Sequence, residues 1–179
     1  MTEAEAQERL HTLYEGDNST PSATGNEYLA RRILLNAGIS LWEKEELWNE
    51  LYTKLADASD GDKTTDGTRD LDCPSDFKFP LGYLWIGTTS YELIPPQDYT
   101  LVAATNTNQY VYNILGNKAD GYEIYFPFHN PASGKTLRYE YYKEATELST
   151  VDSVFEMSDP WFAIYYALSA PAYRLACCP

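Results

Sequence analysis

Two histidines (His11 and His129), three cysteines (Cys73, Cys177 and Cys178) and a run of aspartates are the side chains with which this sequence could do nucleophilic or metal chemistry. Nucleophilic catalysis needs a histidine or thiolate beside a partner and oriented by a third group. His11 falls on the exposed face of a predicted helix and His129 precedes a turn. No nucleophile elbow or cysteine box accompanies either of them. Cys177 and Cys178 are adjacent, without the two-residue gap that lets thiolates converge on zinc. Cys73 stands before Pro74 and reads as a packed thiol. Of Asp57, Asp60, Asp62, Asp66 and Asp70, only Asp60 and Asp62 keep the alternation of a calcium loop, so the run reads as solvated. Ser133-Gly134-Lys135-Thr136 imitates the end of a phosphate-binding loop, but His129 fills the place of its first glycine. The expectation is no catalytic residue, no metal and no cofactor: this is not an enzyme.

The composition narrows the partners. The chain has 179 residues, enough for one domain with a core of its own, and 44% of them are apolar. Thirteen basic residues against 27 acidic ones leave a net charge of −14. Phosphate and anionic membranes repel such a chain, so unaided binding to DNA, RNA or a membrane is not expected. Odd, sparse cysteines suit a reducing compartment. The N-terminus is acidic where a signal peptide is basic, and Trp161 to Leu168 is too short to span a bilayer, so synthesis in the cytoplasm is expected. Sixteen tyrosines, six phenylalanines and four tryptophans are the compositional oddity. Sheet packing accounts for most aromatics on strands. A stacking platform for sugars or a protein interface could use the remainder, whereas stacking on nucleic acid needs a basic groove.

The elements that must position these residues fall into zones. Residues 1–57 read as helical: Thr2–Tyr14, then Asn26–Ala37 with Leu29, Ile33 and Ala37 on one face and Gly38 as its cap. Ser40 and Glu43 form a predicted capping box opening a further helix through Leu41, Trp48, Leu51 and Leu55. Residues 58–70 read as an exposed, mobile acidic loop. Residues 71–148 change to strand and turn grammar, with strands near Phe77–Phe79, Gly82–Ile86, Tyr91–Ile94, Thr100–Ala104, Gln109–Leu115, Tyr122–Phe126 and Thr136–Glu144. The turn at residues 131–134 is expected to join the last two as a hairpin. Residues 149–179 return to helix, with Asp159 as N-cap, Pro160 at the first position, and Trp161, Ile164, Tyr165 and Leu168 on one face. The predicted fold is α+β, one structural unit: helices from both ends pack as a small bundle, and an antiparallel sheet or sandwich is inserted between them.

A junction "Leu71-Asp-Cys-Pro74-Ser-Asp76-Phe77" leads into the strand "Gly121-Tyr-Glu-Ile-Tyr-Phe-Pro127" and the segment "Gly134-Lys-Thr-Leu-Arg-Tyr-Glu-Tyr141-Tyr". The linker "Leu148-Ser-Thr-Val-Asp-Ser153" and the aromatic helix from Asp159 follow. In this order of parts the chain resembles the head-to-tail connector, or adaptor, proteins of tailed bacteriophages over about residues 24 to 175. The resemblance implies a non-enzymatic virion subunit of the neck. It would form a ring of twelve copies beneath the portal protein and extend the channel through which DNA passes without specific binding. Tyr173, Arg174 and Leu175 match the family's portal-contacting C-terminal stretch, although the chain carries no long arm beyond them. Other neck or tail proteins would be further partners. The rival readings are a stopper or tail-completion protein, and a carbohydrate-binding or host-recognition β module stacking sugars on Trp85 and neighbouring tyrosines.

Overall fold

The computed structural model describes residues 1–15, 25–45, 48–95 and 110–169. These residues are α+β, with three helices and a seven-stranded mixed sheet. Contacts divide the chain into a helical unit, Met1–Leu51 with Ala145–Pro179, and a β unit, Tyr52–Glu144. No helix among the described residues is long and apolar enough to cross a membrane. The expected strand Thr100–Ala104 and the stretch Tyr173, Arg174 and Leu175 lie outside the described residues.

In the helical unit, α1 (Glu3–Glu15) begins at a reciprocal cap. The Thr2 backbone N–H donates to Glu5 Oε2 at 2.8 Å, and the Glu5 N–H donates to Thr2 Oγ1 at 3.3 Å. α2 (Asn26–Glu45) runs unbroken through Gly38 and Ser40, which were expected to end one helix and start another. Tertiary packing overrides both local signals. A Cβ on Gly38 would stand 2.9 Å from the Cα of Ala163, so glycine is there to let α2 approach α3 (Trp161–Ser169). The expected helix to Leu55 is absent: a 3-10 turn at Asn49–Leu51 follows, and Trp48 folds back to stack on Trp42 at 5.0 Å. The buried face of α2 is Tyr28, Arg31, Leu35, Gly38, Ile39 and Trp42. Leu29, Ile33 and Leu41 lie outside that face and are 44%, 69% and 38% exposed.

The buried part of this unit includes charged groups. Arg32 Nε donates to Glu3 Oε1 at 2.7 Å, although Glu3 is fully buried. Gln7, also buried, donates to the Tyr28 carbonyl at 3.1 Å. His11 is buried on α1, not exposed as its position in the helical pattern suggested. Asn36 holds the returning chain at both ends of its amide, donating to the Leu148 carbonyl and accepting from the Leu148 N–H. α3 starts where Asp159-Pro160 predicted: Asp159 Oδ1 accepts from the Trp161 N–H at 3.1 Å. Its buried residues are Ala163, Ile164 and Ala167, while Trp161 and Tyr165 stack beside them at 5.7 Å.

The β unit orders its strands β1-β7-β3-β4-β5-β6-β2. These are β1 (Tyr52–Lys54), β2 (Asp70–Asp72), β3 (Phe77–Ile86), β4 (Thr89–Leu93), β5 (Val111–Asn117), β6 (Gly121–Tyr125) and β7 (Leu137–Lys143). Expectation and structure differ in two ways. The sheet is mixed rather than antiparallel throughout, because β4 and β5 pair in parallel. The turn at 131–134 makes no hairpin, since β7 pairs with β1 and β3 while β6 pairs with β2 and β5. The last strand returns to β3 because Leu137, Tyr139 and Tyr141 need the same core as Phe77 and Leu84. That core is aromatic: Phe77 lies 5.5 Å from both Tyr122 and Tyr141 and 6.3 Å from Tyr139.

The acidic 58–70 segment is pinned instead of free. Thr65 is buried; its Oγ1 donates to the Ala132 carbonyl at 2.5 Å and its own carbonyl accepts from the Gly134 N–H at 2.6 Å.

Candidate functional site

Cys177 and Cys178 lie outside the described residues, and the other groups that could do covalent chemistry lie within them. Cys73 is buried, and desolvation pushes its thiol up to about 12, which keeps it a neutral, unreactive packing group. His129 packs its ring 5.8 Å from Tyr110. Asp66 caps a local turn, while Asp60 and Asp62 tie the segment to the chain around β2. Asp60 Oδ1 accepts from the Ser75 N–H at 3.0 Å, Asp62 Oδ2 from the Asp72 N–H at 2.9 Å, and Asp66 Oδ1 from the Thr68 hydroxyl at 2.6 Å and N–H at 2.8 Å. These bonds hold the Asp60 and Asp66 carboxyls below their ordinary values, chiefly the Ser75 N–H for Asp60 and the Thr68 hydroxyl for Asp66. Among the described residues no three His, Cys, Asp or Glu side chains are grouped to hold a metal ion. The phosphate-loop imitation Ser133–Thr136 is part of the turn that docks on Thr65.

What the β unit presents instead is an open groove of about 770 Å³ on the outer face of β1, β7 and β3. Strand register builds it. Along β7, Tyr139 and Tyr141 point into the core, so the alternate residues Arg138 and Glu140 point out. Glu140 stands between Lys54 of β1 and Leu81 of β3, and Arg138 stands opposite Trp85. Between the last two pairs β3 carries Gly82, Tyr83 and Leu84 where β7 has only Tyr139. β3 is therefore two residues too long for the ladder, and the surplus leaves the sheet as a bulge. Gly82 takes φ +62, a conformation that side chains disfavour, and its carbonyl accepts from the Tyr112 hydroxyl at 3.4 Å. Tyr83 is thrown outward, 56% exposed, next to Trp85 at 42%.

The polar groups of the groove are held from outside it. Arg138 Nη2 donates to the Gly87 carbonyl at 2.8 Å, which fixes the plane of the guanidinium. The Glu140 carboxylate beside the Tyr52 hydroxyl raises the tyrosine's pKa above its ordinary value. Aromatic faces, two cations and one carboxylate thus share one surface. That surface has the composition of a binding surface. Trp85 was singled out in the sequence. Tyr83 was not, although it stands two residues before Trp85 on the same outward face, with Leu84 and Ile86 buried on the other; that alternation was its signal.

A second exposed apolar feature lies on the helical unit. Leu29, Ile33 and Leu41 recur at multiples of four along α2, with half-buried Ala37 at the intervening place, and form a stripe open to solvent. No family model matches the chain, and no curated protein matches it.

Proposed function

We propose that the chain is a structural assembly subunit, a head-to-tail connector of a tailed bacteriophage that forms a ring with its own copies beneath the portal protein. In this reading the helices from the two ends pack as a small bundle and the β unit is the insertion between them. The observation that carries it is the stripe Leu29, Ile33 and Leu41 on α2. Three large aliphatic side chains in line on one helix face, in a protein of net charge −14, are an interface in need of a partner. An inward-facing acidic ring wall would repel duplex DNA and leave it free to slide. Tyr173, Arg174 and Leu175 are the proposed portal contact. A virion location in the neck, assembly in the host cytoplasm and contacts with further neck or tail proteins follow from the same reading.

The test is assembly on the portal. By light scattering the free subunit is expected to be monomeric or weakly associated, because like charge opposes its self-assembly. Mixed with a tailed-phage portal protein, it is expected to give rings in negative stain. Ile33→Asp should abolish rings while leaving the helical circular dichroism unchanged. A subunit that ignores the portal, or rings that survive Ile33→Asp, would overturn the proposal.

A further inference from the structure

We propose that the groove on β1, β7 and β3 is a binding site for a neutral oligosaccharide. Trp85 and Tyr83 supply the stacking faces, and Arg138, Glu140 and Lys54 the hydrogen bonds. The proposal does not rest on the connector reading.

The chemistry of the groove selects the ligand. A pyranose ring is amphipathic in a particular way: its C–H bonds make an apolar face, while hydroxyls around its edge each both donate and accept. A matching site needs flat apolar surfaces interleaved with fixed donors and acceptors on the same floor. The outer sheet face has that composition, with Trp85 across from Arg138 and Leu81 across from Glu140, which in turn faces Lys54. Arg138 and Lys54 donate and Glu140 accepts, so vicinal hydroxyls find both kinds of partner. Arg138 is oriented before a ligand arrives by the Gly87 carbonyl, which lowers the ordering cost of binding.

Other ligand classes fit less well. A nucleic acid would meet Glu140 and the field of a −14 chain. A lipid chain or apolar helix would have to desolvate the Lys54, Glu140 and Arg138 heads in the middle of the floor. The volume of about 770 Å³ lies within the range of small-molecule clefts and has room for more than one sugar ring.

The bulge is the second, independent sign. Gly82 and Tyr83 interrupt the β3–β7 ladder, so Tyr83 leaves the pairing while keeping the outward face it shares with Trp85. Bulges recur beside binding sites. Here the bulge adds one aromatic ring to the face that carries a second.

Titration calorimetry and saturation-transfer NMR with maltohexaose, cellohexaose and chitohexaose test the proposal on the full chain. At least one of the three is expected to bind with a Kd of about 1 mM or tighter. Trp85→Ala and Tyr83→Ala should each weaken that binding about tenfold. Glu140→Gln should weaken it less, and Phe162→Ala on the helical unit should leave it unchanged. Amide chemical-shift changes on the unmodified protein, confined to residues 81–85 and 138–140, locate the site even where a variant fails to fold. Silence from all three sugars at about 10 mM, or shifts that map elsewhere, would overturn the proposal.

Discussion

The helical unit buries charge and the β unit buries rings. Glu3, Gln7, His11 and Arg31 are all buried among the helices, and Gly38 is buried with them to let two backbones meet. The β core instead holds Phe77, Tyr91, Tyr112, Phe126, Tyr139 and Tyr141, with Cys73 among them. The first arrangement draws on paired polar groups and close backbone approach, which are specific and intolerant of added volume. The second draws on large apolar area, which is strong but non-directional, and brings several weak acids into a dry interior. One chain thus contains two regions that should fail under different insults.

The largest expected effect is alkaline. Burial raises Cys73, Tyr112, Tyr139 and Tyr141 above their ordinary values of 9.0 and 10.0, so the folded β unit keeps protons that the unfolded chain gives up. Their contribution is complete below about pH 9 and is lost as the pH climbs beyond it. Near-ultraviolet circular dichroism should collapse together with a late, steep rise in tyrosinate absorbance. A gradual titration centred near pH 10 with the dichroism intact would break the comparison. Next is Phe77→Ala, which removes the ring that Tyr122, Tyr139 and Tyr141 pack against and should cost about 3–5 kcal/mol in chemical denaturation. Gly38→Val places new atoms against the Ala163 backbone and should cost about 2–3 kcal/mol; a change below about 0.5 kcal/mol would mean that α2 and α3 can part freely. The smallest effect belongs to Ser40→Ala. Exposed inside α2 rather than capping it, Ser40 should yield a gain of up to about 0.5 kcal/mol, whereas a loss of 1 kcal/mol or more would restore it as a cap.

Local signals were legible wherever the structure resolves them locally. Asp159-Pro160 opens α3, and the alternation from Leu137 to Tyr141 gives the two faces of β7. The signals at Gly38 and Ser40 misled because the glycine serves a helix more than a hundred residues away, and no local pattern encodes that demand. β1 and β2 escaped notice for a similar reason: each has three residues, and each exists through pairing with a remote strand. Of the groove, Tyr83, Trp85, Arg138 and Glu140 follow from alternation alone. The return of β7 to β3 depends on register, which a single strand's sequence does not specify.

That register makes the groove a cassette. Side chains in a strand alternate with period two, so a strand can gain or lose residues in pairs without turning inside out, whereas a single one has to be taken up in a bulge. Removing Gly82 and Tyr83 together would set Leu84 opposite Tyr139, both pointing inward as they already do, and close the ladder around an otherwise unchanged sheet. Removing one would leave a one-residue bulge of the kind β3 already carries at Lys78, between Phe77 and Phe79. The contents of the loop between Leu81 and Leu84 can therefore be exchanged, lengthened or shortened, and the surface it presents can diversify while the scaffold beneath it stays fixed.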